Sequence, residues 1–320
     1  MKKTNLYYIG LTMFLFSIAC KKTNPEVIPV IAPEKDKLIA VTWKFDTFMV
    51  DNQNVSKIYP GAIFSIKQNG EELEAVPLQN QYTQLPITAS TSLTSLANKS
   101  FHDLPSFGNT YEYIKNLTGK TALNSQVYTE DEFKDYNVIK YFLSNNSDVK
   151  SIFKNIGLEA STRITRKHAI YFYSNNERFT LDMNLPRKTE LLSEADAEKL
   201  RSENAYYING VSYGNNSLIL AEGDADYFTL KLALKALLNG KELTGAQTQG
   251  LSNAKITFYS RAGEKESFIK VANGLTDIKS TLTDFDAFNN RAAAYPISYS
   301  LRSINNFTLF NQSLTINIIN

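Results

Sequence analysis

Hydrophobic and polar positions alternate along much of this chain in a way that predicts strands. LIAVTWKFDTFMV at the start of residues 38–88 is apolar and aromatic-rich, and KIYPGAIFSI sets two apolar runs around a Pro-Gly turn. QYTQLPITAS adds a short extended piece, and AIYFYS (169–174), FTLDM (179–183) and AYYINGVSYGNNSLILAEG (205–223) read as strands. So do 254–260, 267–272 and the closing SYSLRSINNFTLFNQSLTINII. Helical spacing predicts a helix over 109–118 and helical patches over 131–158, where Phe133, Tyr136, Val138, Ile139 and Phe142 form an apolar surface broken at Asn145-Asn146-Ser147. Ser193 with Asp196 marks a near capping box ahead of EADAEKLRSEN. In the helix expected from Tyr227 to Leu238, Leu230, Ala233, Leu234, Leu237 and Leu238 form one stripe, and Gly240 ends it.

One segment carries both periods. Val149, Ile152, Phe153 and Ile156 follow one helical face, while Ile156, Leu158, Ala160, Thr162 and Ile164 form one side of an alternating strand. A second stretch, 251–275, sets Ala254, Ile256 and Phe258 in alternation. After the polar tip Ser260-Arg261-Ala262-Gly263-Glu264-Lys265, alternation resumes at Ile269 and Val271, with Phe268 out of pattern. Two alternating arms around a polar tip suit either a half-buried hairpin in a soluble sheet or a hairpin of a membrane barrel.

Composition sets the frame. At 43% hydrophobic and 21% charged, with 18 Tyr and 19 Phe, the chain is globular and strand-favouring. The first nineteen residues are expected to be a signal peptide: basic Lys2 and Lys3, an apolar run, then small residues before Cys20. Cys20 is the only cysteine, the expected site of lipidation in a bacterial lipoprotein, so no intramolecular disulfide is available. Residues 20–37, with three prolines, read as a tether and 38–320 as the folded core. Loss of Lys2 and Lys3 leaves basic and acidic residues in equal number, which argues against a nucleic-acid partner. His102 and His168 lie far apart with no second ligand at metal spacing, and no nucleophile elbow or phosphate loop occurs, so no metal, cofactor or catalytic residue is assigned.

Several motifs in order carry a family resemblance. VSYG (211–214) heads a long strand, FTLKLALKALLNGKEL (228–243) follows as a helix, and AAAYPISYSLRSINN (292–306) is the most specific piece, with Tyr295, Pro296, Ile297, Ser298 and Tyr299 at its centre. IYPGAI (58–63), the Gln126–Glu130 strand and HAIYFYS (168–174) are weaker likenesses. Together they resemble the cholesterol-dependent, or thiol-activated, cytolysins. The resemblance implies an α+β fold, in which a twisted central antiparallel sheet is flanked by two helical clusters, near 136–164 and 244–267. In family members such clusters unfurl into β-hairpins, and many subunits in a ring build one barrel. It also implies that the alternating residues named above, on both arms of 251–275 as well as 156–164, insert into the target membrane. Tyr128, Glu130 and Leu275 are placed by it on strands that pair between subunits.

The family's tryptophan-rich fourth domain has no counterpart, since the only tryptophan is Trp43, so cholesterol is not an implied ligand. The combination resembles short lipoprotein-type members of Gram-negative bacteria, expected at the outer membrane, surface-exposed or released, and acting alone or with a longer paralogous partner. A non-lytic surface lipoprotein, an adhesin or binding module with the same fold, is the alternative.

Overall fold

The computed structural model describes residues 37–319, apart from 70–71, 79–81, 93–99, 118–124, 145, 159–160, 186–190, 262–266 and 291–294. The leader, Cys20 and the tether therefore lie outside the described residues, as does Ala160. The strands are β1 (Leu38–Phe45), β2 (Thr47–Met49), β3 (Ile63–Asn69), β4 (Glu72–Pro77), β5 (Ile87–Thr91), β6 (Ser100–Asp103), β7 (Ser125–Glu132), β8 (His168–Met183), β9 (Ala205–Gly223), β10 (Lys255–Arg261), β11 (Ser267–Asn273), β12 (Tyr295–Ser303) and β13 (Gln312–Ile319). The helices are α1 (Phe107–Leu117), α2 (Ile139–Phe142), α3 (Ser147–Ile156), α4 (Glu194–Arg201), α5 (Tyr227–Leu238), α6 (Gly245–Ser252) and α7 (Gly274–Asn290).

β8 and β9 pair with each other along most of their length and form the spine of an eleven-stranded antiparallel sheet. Their two halves have different neighbours. At one end, β7 pairs with β8 over Ile170–Glu177, and β10 pairs with β9 over Asn216–Glu222. At the other end, β5 takes up β8, while β12 and β3 take up β9. The ladder shifts register between Glu177 and Phe179, opposite Gly214. A Cβ on Gly214 would lie 2.0 Å from the Asn176 carbonyl oxygen, so only glycine fits this crossing.

The lower half packs one apolar core, with Phe64, Phe179, Leu181, Tyr207, Ile208 and Leu301 at its centre. Gly61, at φ +83, makes the tight turn of the IYPGAI motif. Of the YPISY motif, Pro296 falls at a register shift of β12, where its missing N–H costs no ladder bond. Ile297, Ser298 and Tyr299 are buried between β9 and β2. This motif therefore builds the core. β1 and β13 form a separate antiparallel ribbon, Leu38 opposite Ile319, that brings both ends of the described chain together.

Most expected elements are present, with three corrections. The 168–174 and 179–183 pieces are one strand, β8. Helix α7 was not expected, although Ile278, Leu282 and Phe285 sit at helical spacing and are buried. The second helical cluster is α5 with α6, spanning 227–252 rather than 244–267; among the described residues of the expected range only 245–252 is helical, and 255–261 is a strand between two neighbours.

Candidate membrane-inserting site

The upper half of the sheet is apolar on both faces, and the pleat decides which residue serves which face. Ile170 and Phe172 on β8, Ile219 and Ala221 on β9, and Ile256 and Phe258 on β10 point to one side. Ala169, Tyr173, Leu218, Leu220 and Tyr259 point to the other. Each face is covered by helices from one connection. Residues 133–167, between β7 and β8, cover the second face, and residues 224–254, between β9 and β10, cover the first. Antiparallel neighbours need only a short turn. Here each pair is joined by a long helical excursion folded back on the sheet.

The first connection begins with a 3-10 turn over Tyr136–Val138, capped by Asp135, and continues through α2 and α3. Asn146 caps α3, and Gly157 at φ +80 ends it. Ile139, Phe142, Leu143, Val149, Ile152 and Ile156 form its buried face. Helical spacing accounts for 149–156; beyond Gly157 the described residues up to β8 form no helix or strand, apart from one bridge of Arg163 with Asp135. Leu158 is buried and Ile164 packs beside it, while Thr162 accepts a hydrogen bond from Asn137 Nδ2 at 3.1 Å. The strand period of 156–164 is thus not used by its described residues in this form.

A buried carboxylate ties both ends of this connection to the sheet. Glu222, at the end of β9 and 0% exposed, accepts from the Tyr136 hydroxyl, the Thr165 hydroxyl at 2.8 Å and the Arg166 amide at 2.9 Å. Burial, reinforced by Glu222, pushes the Tyr136 hydroxyl well above the usual tyrosine range. Arg166 also pairs with Asp224 at 3.2 Å. The ribbon holds the outer side: Trp43 packs on Tyr141 with ring centres 5.0 Å apart, and Ile319 N donates to Asp135 at 3.2 Å.

The second connection starts at the Asp226 cap of α5 and turns into α6 through a capping box of Thr244 and Gln247. Leu230, Ala233, Leu234 and Leu251 bury against the sheet, with Ile278, Leu282 and Phe285 of α7 beside them. This arrangement leaves Phe228 70% and Leu232 55% exposed. Read with a period of two, the same segment sorts differently. Phe228, Leu230, Leu232, Leu234, Ala236 and Leu238 fall on one side, and Thr229, Lys231, Ala233, Lys235 and Leu237 on the other. Helix α5 therefore hides the cleanest alternating apolar face among these segments, and the two exposed residues belong to it.

The expected second hairpin, 251–275, is reordered by the register. Ile256 and Phe258 face α5 and α6, whereas Ile269 and Val271, opposite Tyr259 and Thr257, face the first connection. The two arms therefore do not share one apolar side. Their alternation reflects a strand pair covered on both faces, and Ala254 is likewise buried under α5 and α6. Leu275 is not on a strand: β11 ends at Asn273, Gly274, at φ +74, opens α7, and Leu275 follows in its first turn.

Tyr128 and Glu130 lie on β7, whose ladder among the described residues runs only to β8. Tyr128 is half exposed and donates to Glu130. Glu130 also pairs with Lys231 at 2.8 Å and Lys235 at 2.6 Å, one turn apart on α5. Burial raises the Glu130 carboxyl, but bonds from Lys231, Lys235 and Tyr128 and the Lys235 charge overcome this and hold it at about 2. At the other edge, β11 covers β10 over its full length. Among the described residues no three His, Cys, Asp or Glu side chains are grouped to hold a metal, and no helix is long and apolar enough to cross a membrane.

The fold has counterparts in solved structures. The chain is similar to the human-specific toxin intermedilysin (TM-score 0.65, 16% identity, 89% of this chain and 64% of that one). It is also similar to listeriolysin O (0.65, 15%, 89% and 64%) and to a non-hemolytic pneumolysin from Streptococcus pneumoniae strain ST306 (0.66, 16%, 88% and 64%). The fold is that of the cholesterol-dependent cytolysins. The chain spans 64% of the length of each of these cytolysins. No protein-family model and no curated protein matches the sequence. The cytolysin fold was legible in the ordered motifs of the sequence; the position of its second helix pair was not.

Proposed function

We propose that this chain assembles with copies of itself on a target membrane and forms a β-barrel pore from the two connections that now cover the sheet. One observation carries the reading: α5, a helix joining adjacent antiparallel strands, contains a complete apolar strand face that the helix leaves partly in water. Extended, 228–238 is long enough for a barrel strand of about ten residues. The 152–164 segment supplies an arm of the first hairpin. Ring closure would satisfy the edge of β7 and, once β11 leaves it, that of β10, which a lipid environment demands.

The pleat adds a condition. Carried straight on from β8, the apolar side of 152–164 continues the face now under α5 and α6. Carried straight on from β9, the apolar side of 228–238 continues the opposite face. Both reach one lipid side only with a one-residue bulge in one of the two, between Ile164 and His168 or between Gly223 and Phe228. In this reading the N-terminal leader is removed, Cys20 is acylated and the protein sits at the outer membrane, surface-exposed or released, acting with or without a longer partner.

The polar return arm, with Lys241, Glu242, Gln247 and Gln249, favours a second reading, a non-lytic surface lipoprotein that keeps the fold. Dye leakage from liposomes separates the two. Wild type should release dye and Leu232→Arg should not, because a cation on the lipid side costs about 2–4 kcal/mol at mid-bilayer. Equal leakage by both would remove 228–238 from the membrane. No leakage by wild type, alone or with a longer paralogue, would support the binding module.

A further inference from the structure

The N-terminus of α3 meets two strands and a loop at one buried polar point. Asp148, in the first turn of α3, is 1% exposed. Its Oδ2 accepts from the Tyr259 hydroxyl on β10 at 3.0 Å and from the Ser267 hydroxyl on β11 at 2.5 Å. The neighbouring Ser147 donates its amide and hydroxyl to Asp51 at 2.9 and 2.6 Å. Arg261, the last residue of β10 and 0% exposed, donates to Asn52 and feels the charges of both Asp148 and Asp51. At the other end of α3, Lys255 Nζ donates to the Ile156 carbonyl at 3.0 Å, and Ile269 and Val271 of β11 pack against the apolar side of the same cluster.

Neither element can leave without harm to the other. If α3 lifted away while β11 stayed, the buried Tyr259 hydroxyl would lose its acceptor and the Ser267 hydroxyl would keep only Asn52 Oδ1 at 3.2 Å. If β11 peeled from β10 while α3 stayed, Asp148 would lose a donor and the underside of the cluster would be uncovered. A buried carboxylate that loses a partner is destabilised more than a neutral group would be.

We propose that Asp148 couples the two, so that release of the first helical connection and uncovering of the β10 edge are one cooperative opening. The coupling builds on the pore-forming reading, in which α3 must unfold and β10 must gain a new neighbour. It names the positioning residue that makes these events simultaneous. No such hydrogen bond joins the described residues of α5 or α6 to β11; Ala272 and Phe268 of β11 meet that cluster by apolar packing alone, so the second connection is not tied to this polar point.

Native-state hydrogen exchange on the full chain in solution tests the coupling without any membrane. Amides of α3 and β11 should share one opening equilibrium in wild type. Ser267→Ala, a small change at a half-buried site, should speed exchange of both elements by the same factor, roughly tenfold, while α5 and the lower core keep their rates. Asp148→Asn, which keeps the shape but removes the charge, should act on the same two elements. Acceleration confined to β11, or different openings in wild type, would overturn the coupling. Failure of the pore reading appears separately, as coupled exchange in a protein that never causes dye leakage.

Discussion

At the scale of single residues, the sheet depends on positions where one atom more or less decides the geometry. Gly214 lies opposite the register shift in β8, and any side chain there collides with backbone that cannot move without breaking the ladder. Gly214→Ala is expected to cost about 3 kcal/mol, read as a large drop in the melting midpoint. Glu130 makes a prediction of opposite character. Its carboxyl titrates at about 2 in the fold against an ordinary 4.5, so its pairing with Lys231 and Lys235 contributes fully above pH 4.5. That contribution is lost as pH falls from 4.5 towards 2, because the unfolded chain takes up the proton first. Urea melts at pH 6 and pH 3 should show a larger acid loss for wild type than for Glu130→Gln, and equal losses would show that the ion pairs carry no stability.

At the scale of elements, the helices of the two connections are ordinary by their caps and unusual by their sequence. Asp226, Thr244 and Asn146 each cap a helix with a side-chain oxygen, and Gly157 and Gly240 end helices with positive φ. Local signals thus favour the helical form of segments that also alternate. Leu232 and Ile256 separate folding from insertion. Leu232 is exposed on α5, so Leu232→Arg should keep its urea midpoint within about 0.5 kcal/mol of wild type while abolishing leakage. Ile256 is wholly buried under α5 and α6, so Ile256→Asp should unfold the protein, by about 4 kcal/mol or more, and reports on the core rather than on the membrane. A stable, leakage-competent Leu232→Arg protein would place the apolar side of α5 outside the bilayer.

At the scale of the whole molecule, the connections are held unequally. The first is fastened by Glu222 at its two ends, by the Asp148 bonds, and by the β1–β13 ribbon through Trp43 and Tyr141. The second is held by apolar packing, by the Glu130 ion pairs and, at its start, by the pair of Asp224 with Arg166. Trp43→Ala should therefore raise the rate of proteolysis within 133–167 several-fold and leave cleavage within 224–254 unchanged. Equal rises in both would mean that the ribbon stabilises the fold as a whole and does not strap one cluster.

The cytolysin motifs were readable from their resemblance in order to that family, and most strand positions and the α4 and α5 helices from spacing, because amphipathic period and capping chemistry are local properties. The double reading of 149–164 was visible for the same reason. The double reading of 228–238 was missed because its helical stripe already explained the leucines, and only the exposure of Phe228 and Leu232 shows that the helix leaves some unused. The 251–275 alternation misled in the other direction. A strand covered on both faces and a strand facing lipid on one side can share a pattern, and period cannot tell them apart. The neighbours of β10 and β11, the two faces their side chains occupy, and the meeting of Asp148 with Tyr259 and Ser267 across more than a hundred residues of chain are long-range facts. They depend on which strands pair and in which register. That is set when distant segments bury one another, and no local window of residues contains it.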